Sequence, residues 1–93
     1  MSKKQLDDEE VYEKAIEKWG KPAQILVFIE EMAELTKALC KHLNNRGDIN
    51  NIYEEIADVS IMLNQMYEIF DCEEILKYFN FKMERIKKRL MDE

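Results

Sequence analysis

Two short stretches place carboxylates where a helical pattern leaves little room for them. Glu30-Glu31-Met32-Ala33-Glu34 and Glu54-Glu55-Ile56-Ala57-Asp58 each sit in the middle of a long, otherwise apolar pattern. An ionised group withdrawn from water is costly unless something compensates it. At about 100° per residue, Glu31 and Glu34 lie about 60° apart, roughly 5 to 6 Å between Cβ atoms, and so do Glu55 and Asp58. Gln24, Val27 and Ala38 share the face of the first pair, and Asn51, Met62 and Met66 that of the second. Neither pair therefore belongs to a purely solvated side.

Register points the same way. Facing residues in an antiparallel helical hairpin have a constant index sum, and both Glu31 with Asp58 and Glu34 with Glu55 give 89. That sum puts the pivot at Asn44-Asn45, slightly before the middle of the predicted turn. The offset amounts to about one helical turn, roughly 6 Å, within reach of long side chains, so the four acids can converge. Four anionic oxygen donors on rigid helices, with room for water and phosphate oxygens, suit a hard octahedral cation: Mg²⁺, with Mn²⁺ as a substitute. Such an ion would bridge a triphosphate, orient a water and neutralise charge that develops as a phosphoanhydride is cleaved. The competing reading is of surface carboxylates paired with Lys37 or Lys41.

The elements that must position these acids are all helical. The first helix is expected from about Leu6 to Lys18. Asp7 to Glu10 suit the dipole of its first turns, and Val11, Tyr12, Ala15, Ile16 and Trp19 form its inner stripe. Gly20-Lys21-Pro22 breaks it, and Pro22 suits the first turn of a second helix running to Leu43. There Ile25, Phe28, Met32, Leu35 and Leu39 make one apolar stripe, and Leu26, Ile29, Ala33, Thr36 and Cys40 a second, which predicts a central helix. The cluster Asn44-Asn45-Arg46-Gly47-Asp48 is a turn. A third helix follows from Ile49 to Ile69, with Ile52, Ile56, Val59, Leu63 and Met66 inward. Asp71 with Glu74 reads as a capping box opening a fourth, whose inner residues are Ile75, Tyr78, Phe79, Met83, Ile86 and Leu90. Short turns between four helices predict an all-α fold, an antiparallel four-helix bundle, as one domain over residues 1–93.

Composition agrees and narrows the classes. The chain of 93 residues is 46% hydrophobic and 37% charged, with two glycines and one proline, which fits a helical globular domain. A net charge of −6 argues against a nucleic-acid polymer as partner, though not against a metal–phosphate ligand. No apolar run is long enough to span a bilayer, and the Met-Ser-Lys-Lys start leads into acidic residues, so a cytoplasmic location without membrane contact is expected. Cys40 and Cys72 have no metal-type spacing and no histidine partner nearby, and are expected as reduced core or boundary thiols. His42 lacks a glutamate three residues before it, where Leu39 stands, so a di-iron bundle is excluded.

The pattern Glu-Glu-x-x-Glu, a spacer, then Glu-x-x-Asp is met by Glu30, Glu31, Glu34, Glu55 and Asp58, with 20 residues between Glu34 and Glu55. It resembles the signature of the MazG-like all-α nucleoside triphosphate pyrophosphohydrolases. The likeness is strong over the second and third helices and looser over the whole chain. It implies helical protomers assembled as a homodimer or homotetramer. It also implies hydrolysis of a nucleoside triphosphate, ribo or deoxy, to the monophosphate and pyrophosphate. Carried over residue by residue, Glu31, Glu34, Glu55 and Asp58 would hold Mg²⁺. Glu30, or a ligand such as Glu34, would take the proton from the attacking water. Narrower relatives act on dUTP or phosphoribosyl-ATP, and a module that keeps the fold without catalysis is the reading from another class.

Further residues fall into place around that expectation. Trp19 ends the first helix, where a ring stacks on a base or serves as an interface aromatic; in similar enzymes an aromatic near this place lines the base pocket. Gln24, two turns before Glu31 on the same face, can offer its amide to a base edge. Asn51, one turn before Glu55, can do likewise or cap the third helix. Lys82, Arg85 and Arg89 share one face of the fourth helix and either meet phosphates or form a solvated face. The family often has an asparagine in this helix where Ile86 stands here.

Overall fold

A computed structural model describes residues 5–92; residues 1–4 and 93, including the Met-Ser-Lys-Lys start, lie outside the described residues. Four helices and no strand make up the described chain: α1 Asp8–Trp19, α2 Lys21–Leu43, α3 Ile49–Ile69 and α4 Cys72–Met91. Each boundary has a local chemical cause. Asp7, Asp48 and Asp71 stand at the N-caps of α1, α3 and α4, and their carboxylates accept from the backbone N–H of Glu10, Asn50, and Glu73 with Glu74, respectively. These bonds satisfy donors that a helix start leaves orphaned. The return half of the expected capping box is replaced: the Glu74 carboxylate pairs with Lys77 at 3.0 Å. Gly20, at φ 86°, supplies the left-handed kink between α1 and α2 that a residue with a Cβ would resist.

Helices α2 and α3 form the central pair, α1 packs on both, and α4 touches α3 alone. The buried residues Gln24, Ala38, Ile52, Met62, Gln65 and Met66 all belong to that pair. A hydrogen bond of 3.0 Å from the Asn64 side-chain amide to the Tyr12 hydroxyl ties α1 to α3.

The apolar stripes read from the sequence are covered only in part. On α2, Ile25, Phe28 and Leu35 are half-buried, whereas Met32 and Leu39 are exposed, as is the entire second stripe from Leu26 to Cys40. On α3, Ile52 and Met66 are buried and Val59 half-buried, but Ile56 and Leu63 are exposed. On α4 the correction is larger: of the inner residues only Ile75 is half-buried, and Tyr78, Phe79, Met83, Ile86 and Leu90 all face outward. Val11 and Trp19 of α1 are exposed too, and so are the free thiols of Cys40 and Cys72.

The reason is geometric. Three helices in mutual contact and a fourth extending away enclose too little volume to cover every apolar face. The radius of gyration is 17.1 Å, against about 12 Å for a compact domain of this length. The accessible area is 7982 Å², where a folded chain of this mass shows about 5,700 Å². Among the described residues no helix is long and apolar enough to cross a membrane.

Candidate metal centre

The seam between α2 and α3 is where a helix pair would ordinarily place its apolar contacts, and Glu31 and Glu55 stand in it half-buried. They do so because helical periodicity puts them on the stripe of Gln24, Val27 and Ala38 and on that of Ile52 and Met62, as the spacing requires. Asp58, one turn beyond Glu55, completes the group at its exposed edge. One ligand oxygen from each of Glu31, Glu55 and Asp58 lies within 4.8 Å of the others.

Charge accumulates there without compensation from the protein. Among the described residues no cation is paired with these three acids, so neither Lys37 nor Lys41 fills the role weighed for it. One Glu55 oxygen, Oε2, is shielded from solvent and has no hydrogen-bond partner. Removal from water raises the Glu31 carboxyl above its ordinary range, and the neighbouring Asp58, Glu55, Glu34 and Glu30 push it in the same direction. Desolvation likewise raises Glu55, with Asp58, Glu34 and Glu54 adding to it. Three carboxylate oxygens this close, one from each of Glu31, Glu55 and Asp58, could hold a metal ion.

Glu34 has a different place from the one its spacing suggested. It is exposed and does not join the group within 4.8 Å, yet its charge reaches both Glu31 and Glu55. Glu30 is exposed at the rim, adjacent enough to raise Glu31.

Two hollows lie along the seam and share part of their lining. A cleft of about 110 Å³ is lined by Val27, Glu31, Asp58, Ile61 and Met62. Val27 and Met62 are shared with a larger, mostly apolar cavity of about 480 Å³ whose other walls are Trp19, Ala23 and Gln24. Stepping back along α2 from Glu31 to Val27, the α3 neighbours climb from Asp58 to Met62. Trp19 and Gln24 thus line a cavity that shares Val27 and Met62 with the cleft of Glu31 and Asp58, and the Lys18 ammonium lies 5.4 Å from the Trp19 ring centroid.

The remaining expected contacts stay apart. Asn51 is exposed near the start of α3 and lines neither hollow, and Lys82, Arg85 and Arg89 are exposed on α4. One residue went unnoticed in the sequence: Gln65 is buried, and its Oε1 has no hydrogen-bond partner. The signal was available, since Gln24 and Gln65 share the index sum of the acids. No family model matches this chain, and no curated protein or solved structure matches it either.

Proposed function

We propose that this chain is a Mg²⁺-dependent nucleoside triphosphate pyrophosphohydrolase, releasing a monophosphate and pyrophosphate and working as a homodimer or homotetramer of antiparallel helical protomers. The observation that carries the reading is the uncompensated convergence of Glu31, Glu55 and Asp58 beside a cavity walled by Trp19 and Gln24. The donor set is all carboxylate oxygen, which fits Mg²⁺ and disfavours softer metals. The spacing of these same acids, which resembles that of MazG-like enzymes, also supports the reading.

Glu31, Glu55 and Asp58 would hold the cation, with Glu34, whose charge reaches Glu31 and Glu55, as the fourth expected ligand. When bound, Mg²⁺ would supply charge neutralisation for the phosphate chain and lower the pKa of a coordinated water. The protein's own residues account for the rest. Trp19 would offer a ring face to a base in the mostly apolar cavity it lines. Gln24 presents an amide that can donate to or accept from a base edge. Glu30, exposed at the rim, would accept a proton from an attacking water, a role that a ligand such as Glu34 could take instead.

The deciding experiment is pyrophosphate release from a panel of ribo- and deoxynucleoside triphosphates, including dUTP, and from phosphoribosyl-ATP, with Mg²⁺ or with chelator. Release that requires Mg²⁺ and is lost in Glu55→Gln, with helical circular dichroism retained, supports the proposal. No release from any nucleotide by folded protein overturns it. A second reading, a helical interaction module that binds metal without turnover, draws on the extent of exposed apolar surface. It predicts stabilisation by Mg²⁺ with no pyrophosphate formed.

A further inference from the structure

Amide groups are as out of place in the α2–α3 seam as the acids are. Gln24 and Gln65 are the buried polar residues among those described, 6% and 3% exposed, and neither side chain makes a hydrogen bond there. For Gln65 the atom at stake is Oε1, which is sealed from solvent without a partner, a state that folded proteins rarely leave uncompensated. The seam indicates where the missing donor stands. Glu31 with Asp58, Val27 with Met62, and Gln24 with Gln65 all have the same index sum. The first pair brings ligand oxygens within 4.8 Å of each other, and the second lines both hollows together. Seven residues along each helix, about two turns and 10 Å, lead from the first pair to the third. The side chain set against Gln65 is therefore Gln24, whose amide carries two N–H donors.

We infer that Gln65 is a positioning residue: Gln24 donates an amide N–H to Gln65 Oε1, which turns Gln24 Oε1 towards the cavity and selects nucleotides whose base carries an amino group where uracil and hypoxanthine carry a carbonyl. A glutamine amide left to itself can present either end to a ligand, because a half-turn about its last side-chain bond exchanges oxygen and nitrogen. An acceptor fixed behind it removes one of the two orientations. The cavity is lined by Trp19, Ala23, Gln24, Val27 and Met62, so besides the indole N–H of Trp19 the Gln24 amide is its only polar side-chain group. Its orientation then decides which base edge finds a partner. The amino group of cytosine or adenine donates to the presented Oε1. A carbonyl in the same place sets oxygen against oxygen and leaves both unpaired. The base selection rests on the proposed nucleotide site, while the pairing of the two amides does not.

Two measurements test the two halves separately. Pyrophosphate release with Mg²⁺ is compared for dCTP against dUTP and for ATP against inosine triphosphate, pairs that exchange an amino for a carbonyl group. The amino member of each pair should be favoured in kcat/KM by about tenfold to a hundredfold, the range expected when a buried polar group is left unpaired. Gln65→Met keeps the length of the side chain and removes the acceptor. It should bring both ratios close to one by raising KM for the amino substrates, with the Mg²⁺-induced rise in melting temperature retained. Equal rates within each wild-type pair, a preference for the carbonyl member, or a wild-type ratio persisting in Gln65→Met overturns the selection. The second measurement needs no variant and no nucleotide: in ¹³C,¹⁵N-labelled wild-type protein, a scalar coupling across the hydrogen bond should link the Gln24 Nε2 to the Gln65 Cδ. Its absence overturns the pairing, a bridging water included. Should no nucleotide be hydrolysed while that coupling is present, the nucleotide reading falls and the base selection with it, and the amide pairing stands.

Discussion

Replacing Glu55 by glutamine should produce opposite effects with and without metal. In chelator, the neutral amide removes one of three negative groups whose oxygens lie within 4.8 Å, and its N–H can donate to the carboxylates that remain. The shielded Oε2 position loses its uncompensated charge as well. Above the titration range of these carboxyls, then, the variant should melt at a higher temperature than wild type. With Mg²⁺ the order should reverse. A cation at ten times its dissociation constant stabilises the wild type by about 1.4 kcal/mol, from the logarithmic linkage of binding to folding. Unfolding entropy of about 2.1 cal/mol/K per residue over this chain gives about 0.2 kcal/mol/K, so the midpoint rises by about 7 °C. A variant whose affinity is tenfold weaker gains about 2 °C or less at the same Mg²⁺. Differential scanning calorimetry at pH 8, at fixed protein concentration, reads both values. Equal Mg²⁺ shifts in the two proteins, or a variant less stable than wild type in chelator, would refute the assignment of Glu55 to the metal centre.

Three further outcomes are expected. Because Glu31 and Glu55 titrate above their ordinary value of 4.5, the folded chain binds more protons than the unfolded one between that value and their raised ones. Metal-free stability should therefore fall as pH rises through that window, and saturating Mg²⁺ should flatten the dependence; thermal melts from pH 4.5 to 8 in chelator would contradict this by rising. Trp19 is the only tryptophan and is 58% exposed, so Mg²⁺ with a nonhydrolysable nucleotide should change its emission saturably, whereas unchanged emission at catalytic concentrations removes it from the base pocket. Asp71→Ala takes away the acceptor for two α4 backbone N–H groups, which costs about 1 kcal/mol and about 5 °C in melting temperature; an unchanged midpoint would mean that α4 contributes nothing to the cooperative unit.

What could be read beforehand depended on how local its cause was. The third helix ends where expected, at Ile49 and Ile69, because Asp48 and the turn before it act within a few residues. The shared face of Glu31 with Gln24, Val27 and Ala38 followed from angular spacing alone. Glu34 was less legible: spacing by three residues fixes its neighbourhood with Glu31, but its distance from Glu55 depends on how the two helices are set against each other. The stripe of α4 was legible as apolar, while its covering was not, since periodicity says that a face seeks a partner and is silent on which chain supplies it. Gln65 was passed over because a glutamine on an apolar helix reads as surface until the opposite residue, Gln24, is considered with it.

The isolation of α4 also bears on how the molecule moves. A single helix of about 20 residues without tertiary support is marginal in water, since few of its backbone bonds are protected by packing. Beyond Ile75, the α4 backbone amides should exchange with solvent on the timescale of local fraying, while those around Ile52, Met62 and Met66 wait for global opening. Amide exchange along α4 would thus report, residue by residue, how much of the helix is covered by packing.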